Sequence, residues 1–179
     1  MMGMQKDLFV RLLEMEDAEA LLTLECDNRE FFQLYTVTRD ESFYTWEGQS
    51  ERIRKAIDAA KEGTSCTFGV FLTETGKLIG VVSLSEIVKG NYQSCWIGYY
   101  LDKNHNGKGY MTEAVTYTTD YAFKELGLHR IEAGVMPHNE ASIRLLEKAG
   151  FEKEGIAREN VRINGKWEDH LILSRISRL

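Results

Sequence analysis

Proline is almost absent: Pro137 is the single one in 179 residues, and no stretch is rich in Gly and Ser or in charge of one sign. Nothing therefore marks a linker, and no internal repeat is visible, so residues 1–179 are expected to form one domain. Cysteine is scarce too. Cys26, Cys66 and Cys95 are odd in number, widely spaced and free of any Cys-x-x-Cys pair, which argues against a disulfide framework and against zinc. Long apolar runs are missing, and none approaches the roughly 20 residues of a membrane-spanning helix. Leu8-Phe9-Val10 is closed by Arg11, too short for the apolar core of a secretory signal. The expected compartment is cytoplasmic, with no membrane partner. Basic charge is in deficit, 22 Lys and Arg against 28 Asp and Glu, a net charge of −6. Nucleic acid is gripped by clustered Lys and Arg, so no direct nucleic-acid partner is expected, and a cationic partner such as an amine suits the balance better. What is present, 43% hydrophobic and 28% charged residues, suffices for a globular core.

The apolar period then sets out the elements. A strand is expected over 8–12, a helix over 16–26, and a helix capped by Ser50 and stopped by Gly63. The stretch 28–45 is aromatic (Phe31, Phe32, Tyr35, Phe43, Tyr44) and has no clear period. From there the period changes to two. Strands are expected over 67–74, 78–87 and 92–101, joined through Gly76 and Gly90 as an antiparallel meander. A helix over 110–126, a strand over 130–136, a helix over 139–149 and strands over 151–156 and 168–176 complete a mixed α/β layer fold.

The segment between the third meander strand and its helix carries the chemistry. Asn106-Gly107-Lys108-Gly109-Tyr110-Met111 places glycines where a helix begins. Helix N-termini expose unpaired N–H groups and the positive end of the macrodipole, and glycine lets the backbone approach an anion closely. A Gly-x-Gly alone is equally a glycine-rich turn, and neither the Walker spacing nor Gly-x-Gly-x-x-Gly is present.

The run Gly98-Tyr99-Tyr100-Leu101 through Gly107-Lys108-Gly109-Tyr110-Met111-Thr112-Glu113-Ala114 resembles the coenzyme A pyrophosphate loop of the GNAT superfamily of N-acetyltransferases. Pro137-His138-Asn139-Glu140-Ala141-Ser142 and Leu145-Leu146-Glu147-Lys148-Ala149-Gly150-Phe151 extend the match. Ile87-Val88-Lys89-Gly90 and Asn164-Gly165-Lys166-Trp167-Glu168-Asp169-His170 are similar to the group that acetylates ribosomal-protein N-termini beginning with alanine or serine. The resemblance covers residues 67–176, while residues 1–63 match loosely through Arg11, Asp17 and Leu21.

The resemblance implies a GNAT fold: a mixed, mostly antiparallel central sheet, splayed at the coenzyme A site, with helices on both faces. It implies acetyl-coenzyme A as co-substrate and no metal. Backbone groups of Tyr99, Tyr100 and Leu101 would bond the pantetheine arm, and N–H groups of Asn106, Gly107, Lys108, Gly109, Tyr110 and Met111 would hold the pyrophosphate. Asn139 would bond the pantetheine. Many relatives carry a tyrosine acid seven residues after that asparagine, but Leu146 stands here, so Ser142 is the implied proton donor to the thiolate.

Acyl transfer to an amine also needs the amine deprotonated. Glu86, near the end of the second meander strand, is the first candidate base, and a solvated strand-end carboxylate is the alternative. Glu132 is the second, with pairing to Arg130 or Lys148 as its alternative. Cys95 alternates with core positions and is expected to be core, not a nucleophile. His105, His129, His138 and His170 form no metal-ligand spacing. The first acceptor is a protein N-terminus, above all of a ribosomal protein, for an enzyme that is a monomer or homodimer. A small amine, or a non-catalytic acyl-coenzyme A binding module, are the other readings.

Overall fold

The computed structural model describes residues 3–4 and 7–178. Its strands are β1 (Gly3–Met4), β2 (Leu8–Leu12), β3 (Cys66–Leu72), β4 (Leu78–Val88), β5 (Ser94–Leu101), β6 (Arg130–Val135), β7 (Glu152–Ile163) and β8 (Lys166–Ile176). They form one sheet in the order β1-β2-β3-β4-β5-β6-β8-β7. Every pairing is antiparallel except β5 with β6. The helices are α1 (Ala18–Asp27), α2 (Arg29–Gln33), α3 (Trp46–Glu62), α4 (Tyr110–Lys124) and α5 (Glu140–Lys148). Residues of α4 and α5 pack with Phe68, Val70, Val82, Ile97 and Ile131 in one core, and α1 and α3 pack with Phe71, Leu78 and Val81 in a second. Covered from both sides, β4 is buried almost without alternation from Leu78 to Leu84. Among the described residues no helix is long and apolar enough to cross a membrane.

The structure departs from the sequence expectation most at the following places. Thr45, not Ser50, caps α3: its hydroxyl accepts from the Gly48 N–H at 3.0 Å, and Ser50 lies inside the helix with its hydroxyl buried and unpartnered. Thr45 offers the same capping chemistry, and nothing in residues 46–49 breaks a helix, so the turn starts earlier. The aperiodic stretch 28–45 contains α2 and a 3₁₀ turn, Glu41–Tyr44, each too short to display a period. β7 continues past residue 156 to Ile163, turning into β8 through Asn164 and Gly165, both at positive φ. Its extension faces solvent almost throughout, so it carries no apolar alternation to read.

At the outer end of β6 the Arg130 guanidinium bonds Glu132 at 2.7 Å and Glu154 at 2.6 Å, and the Ser174 hydroxyl donates to Glu154 at 2.6 Å. Glu132 thus takes the pairing role. The Arg130 bond, then that of Ser174, hold the Glu154 carboxyl down to about 2 from its ordinary 4.5. A depressed carboxyl stabilises the fold above its unfolded value and loses that contribution as pH falls toward the folded one. Urea unfolding should show Glu154→Gln less stable than wild type at pH 7, with the gap closing between pH 4.5 and about 2. Glu154 is largely exposed, so the gap at pH 7 should be about 1 kcal/mol or less.

Candidate active site

β5 and β6 start side by side and then part. Their register runs Ser94↔Arg130, Cys95↔Ile131, Trp96↔Glu132 and stops there. Beyond it β5 stays bonded to β4 as far as Leu101, and β6 to β8 as far as Val135. Residues 97–101 and 133–135 therefore turn unpaired backbone edges toward one another. The gap opens into a cleft of about 740 Å³.

At one end of the cleft lies the loop into α4. Gly109 is the N-cap of α4 at φ +82 and supplies no capping side chain, so the first N–H groups of the helix lack an intrahelical partner. Gly107 sits at φ +79, and a Cβ built on either glycine meets no protein atom within 4 Å. The space beside the loop is open, as an anion cradle requires. Asp102 anchors the loop from below. Its carboxylate accepts from the Asn104 N–H at 3.2 Å and pairs with His105 Nδ1 at 2.9 Å. Burial pushes this carboxyl up, but the Asn104 and His105 bonds outweigh it and hold it below the ordinary range. Coenzyme A, with its pyrophosphate and its extended amide arm, fits these two features: an uncapped helix start and a strand-wide gap.

The α5 side supplies the polar groups nearest the middle. Asn139 caps α5, its side-chain oxygen accepting from the Ser142 N–H at 3.3 Å. The Ser142 and Tyr99 hydroxyls share a 2.6 Å hydrogen bond. Burial, partly offset by that bond, pushes the Tyr99 phenol up to about 12, so it stays a proton donor. Alternation sends the next side chain, Tyr100, to the opposite face. There it packs edge-on against Phe32 with ring centroids 4.7 Å apart. Its hydroxyl donates to Glu25 at 2.5 Å and accepts from Arg52 at 2.8 Å. Arg52 bonds the same carboxylate at 2.6 Å. Phe31, Phe32, Tyr35 and Thr36 wall the cleft on this face. The chain then reaches the β7–β8 turn, where the Thr38 N–H donates to the Asn164 side chain at 2.8 Å.

Tyr99, Tyr100, Leu101, Asn106, Gly107, Gly109, Tyr110, Met111, Asn139 and Ser142 all line this one cleft. Lys108 and Glu86 do not line it. Glu86 is exposed at φ +50, in the irregularity where β4 loses register with β5 between Ser85 and Val88. Cys95 is buried in the core, its thiol pushed up to about 12 by burial. Sequence reasoning missed the Glu25–Arg52–Tyr100 network, which joins residues far apart in the chain, and it passed over His170, which lines the cleft from β8. Among the described residues no group of three or more His, Cys, Asp or Glu could hold a metal ion.

Residues 7–152 match the family model for an acetyltransferase (GNAT) domain. The chain is 54% identical over 169 residues to the probable N-acetyltransferase YjcK of Bacillus subtilis (strain 168), spanning 94% of this chain and 93% of that one. It is 37% identical over 165 residues to the ribosomal protein uS5-alanine N-acetyltransferase of Escherichia coli (strain K12), spanning 92% and 85%. The crystal structure of ribosomal-protein-S5-alanine acetyltransferase from Vibrio fischeri superposes with a TM-score of 0.95 at 35% identity, covering 99% of this chain and 97% of that one.

Proposed function

Because the chain belongs to the acetyltransferase (GNAT) family and is an acetyl-coenzyme A-dependent N-acetyltransferase, we propose that its acceptor is the α-amino group of a protein N-terminus, with a ribosomal protein as first candidate. The observation that carries this reading is the charge of the cleft. Among the described residues lining it there is no Asp or Glu. A polyamine brings several ammonium groups and needs carboxylates to receive them. A peptide N-terminus brings one amine and a backbone, and the aromatic wall of Phe31, Phe32 and Tyr35 suits an extended segment. The relatives that act on uS5-alanine support the same choice. The net charge of −6 attracts a basic ribosomal protein from a distance. A ribosomal acceptor places the reaction in the cytoplasm.

The roles of the residues follow. The N–H groups of Asn106, Gly107, Gly109, Tyr110 and Met111 hold the pyrophosphate at the start of α4. The edges of β5 and β6 and the Asn139 amide bond the pantetheine arm. The acceptor enters from the Phe32 face, the amine attacks the thioester carbonyl directly, and the Ser142 hydroxyl protonates the departing thiolate, with Tyr99 replenishing its proton. No acyl-enzyme forms.

Peptides beginning with Ala or Ser should be acetylated at the α-amino group, and blocking that group should abolish turnover. Site-resolved mass spectrometry checks this. Acetyl groups on lysine side chains, or turnover confined to polyamines, would refute the acceptor and leave the acetyltransferase assignment standing.

A further inference from the structure

The residues lining the cleft include tyrosines, an arginine, a lysine and one histidine, but no carboxylate. Burial pushes the phenols of Tyr99 and Tyr100 up, so both stay protonated, and the guanidinium and ammonium of Arg144 and Lys148 are hydrogen-bond donors with no acceptor lone pair. His170 is the remaining group with a basic lone pair. It is 8% exposed and lies on β8 beside Gly134. Its Nδ1 is 3.1 Å from the Glu168 carbonyl oxygen. A carbonyl only accepts, so Nδ1 carries the proton, and the neutral ring keeps its lone pair on Nε2. The Cδ2 edge of the ring, next to Nε2, lies over Gly134, whose missing side chain leaves room beside it.

Sheet alternation fixes where this lone pair stands. Registered partners share a face, so His170 and Ile172 lie with Gly134 and Tyr100 on the Phe32 side, while Tyr99 points to Ser142 on the α5 side. Proton donor and proton acceptor thus flank the splayed gap from opposite faces.

We infer that His170 Nε2 is the base that takes the proton from the attacking amine, directly or through one water. The nitrogen lone pair forms the new N–C bond, and the C–S bond breaks. The ammonium proton passes to Nε2 and on to solvent, while the thiolate takes its proton from Ser142. Carboxylates near the imidazole are few. Glu168 and Asp169 precede it on β8, with Glu168 paired to Lys166 at 3.4 Å and Asp169 accepting the Glu159 N–H. β7 offers Ala157 opposite, then Arg158 and Glu159. On β6 Glu132 is taken by Arg130. Across the cleft stand the Tyr35 and Tyr100 phenols, and Arg144 and Lys148 lie on the α5 side.

The inference rests on acetyl transfer to an amine, not on which amine, so any acceptor that turns over serves the test. His170→Asn keeps a donor for the Glu168 carbonyl and removes the lone pair. With an α-amino acceptor its kcat at neutral pH should fall about tenfold to a hundredfold, less than a general base often contributes, because that amine is already partly neutral there, and a more basic acceptor should lose more. Acetyl-coenzyme A affinity by calorimetry should hold within about twofold. With amine and imidazole both required in the neutral form, log kcat/KM should drop with a slope of about two at low pH in wild type and about one in the variant. Free imidazole should restore part of the rate to His170→Ala. An unchanged slope, a kcat within threefold of wild type, no rescue, or loss of the limb in Glu86→Gln instead would overturn the inference. So would nitrogen NMR of the wild-type enzyme showing the Nε2–H tautomer, a reading that needs no variant to fold.

Discussion

Replacing Ser142 by Ala should lower kcat by about 10²–10⁴-fold, the range a positioned general acid contributes, while acetyl-coenzyme A affinity changes by less than about threefold. The separation follows from the site's construction. Ser142 holds its place on α5 by a backbone N–H bonded to Asn139, which the alanine keeps, and only the hydroxyl facing Tyr99 is lost. The 2.6 Å bond makes the two hydroxyls one unit, so Tyr99→Phe should cost kcat as well. The double variant should be little worse than the worse single one, since residues that act together are not additive. Because burial raises the Tyr99 phenol to about 12, the pair should keep its proton, and kcat should show no alkaline fall from it below that value. Rapid-quench and steady-state kinetics check the set. An unchanged kcat in Ser142→Ala would move the proton donation to water.

Gly107→Val should weaken acetyl-coenzyme A binding about a hundredfold, some 2.7 kcal/mol, with the fold retained. The built Cβ meets no protein atom, so no internal clash drives the loss. Two other effects do. At φ +79 a β-branched residue is strained by about 1–3 kcal/mol, which pulls the chain out of the left-handed region and turns the N–H groups away from the anion. The side chain also fills the open space beside the loop that a phosphate would occupy. Gly107→Ala shares the strain with a smaller intrusion and should lose less. Calorimetry gives the affinities and circular dichroism the fold. Normal affinity in Gly107→Val would remove the phosphate role from this loop.

The loop was legible because its properties are local: glycine at positive φ, an uncapped helix start and a strand just before it are neighbours in the chain. The meander was legible for the same reason, since period two and glycine turns set β3, β4 and β5 within a few residues. The start of α3 was misjudged because two side chains, Thr45 and Ser50, offer the same cap, and the extent of β7 was hidden because a strand bathed on both sides carries no alternation.

Residue identity and short-range spacing alone determined the order of the longer elements, the meander turns and the two glycines at the start of α4, because φ preferences, caps and hydrophobic period act over a few residues. Only the tertiary structure decided which side chains meet. Tyr99 reaches Ser142 across 43 residues, Tyr100 reaches Glu25 across 75, and Glu86 stays outside the cleft while His170 enters it from β8. Those distances are closed by where β5 parts from β6 and by which face each pleat presents, and both follow from the pairing of whole strands.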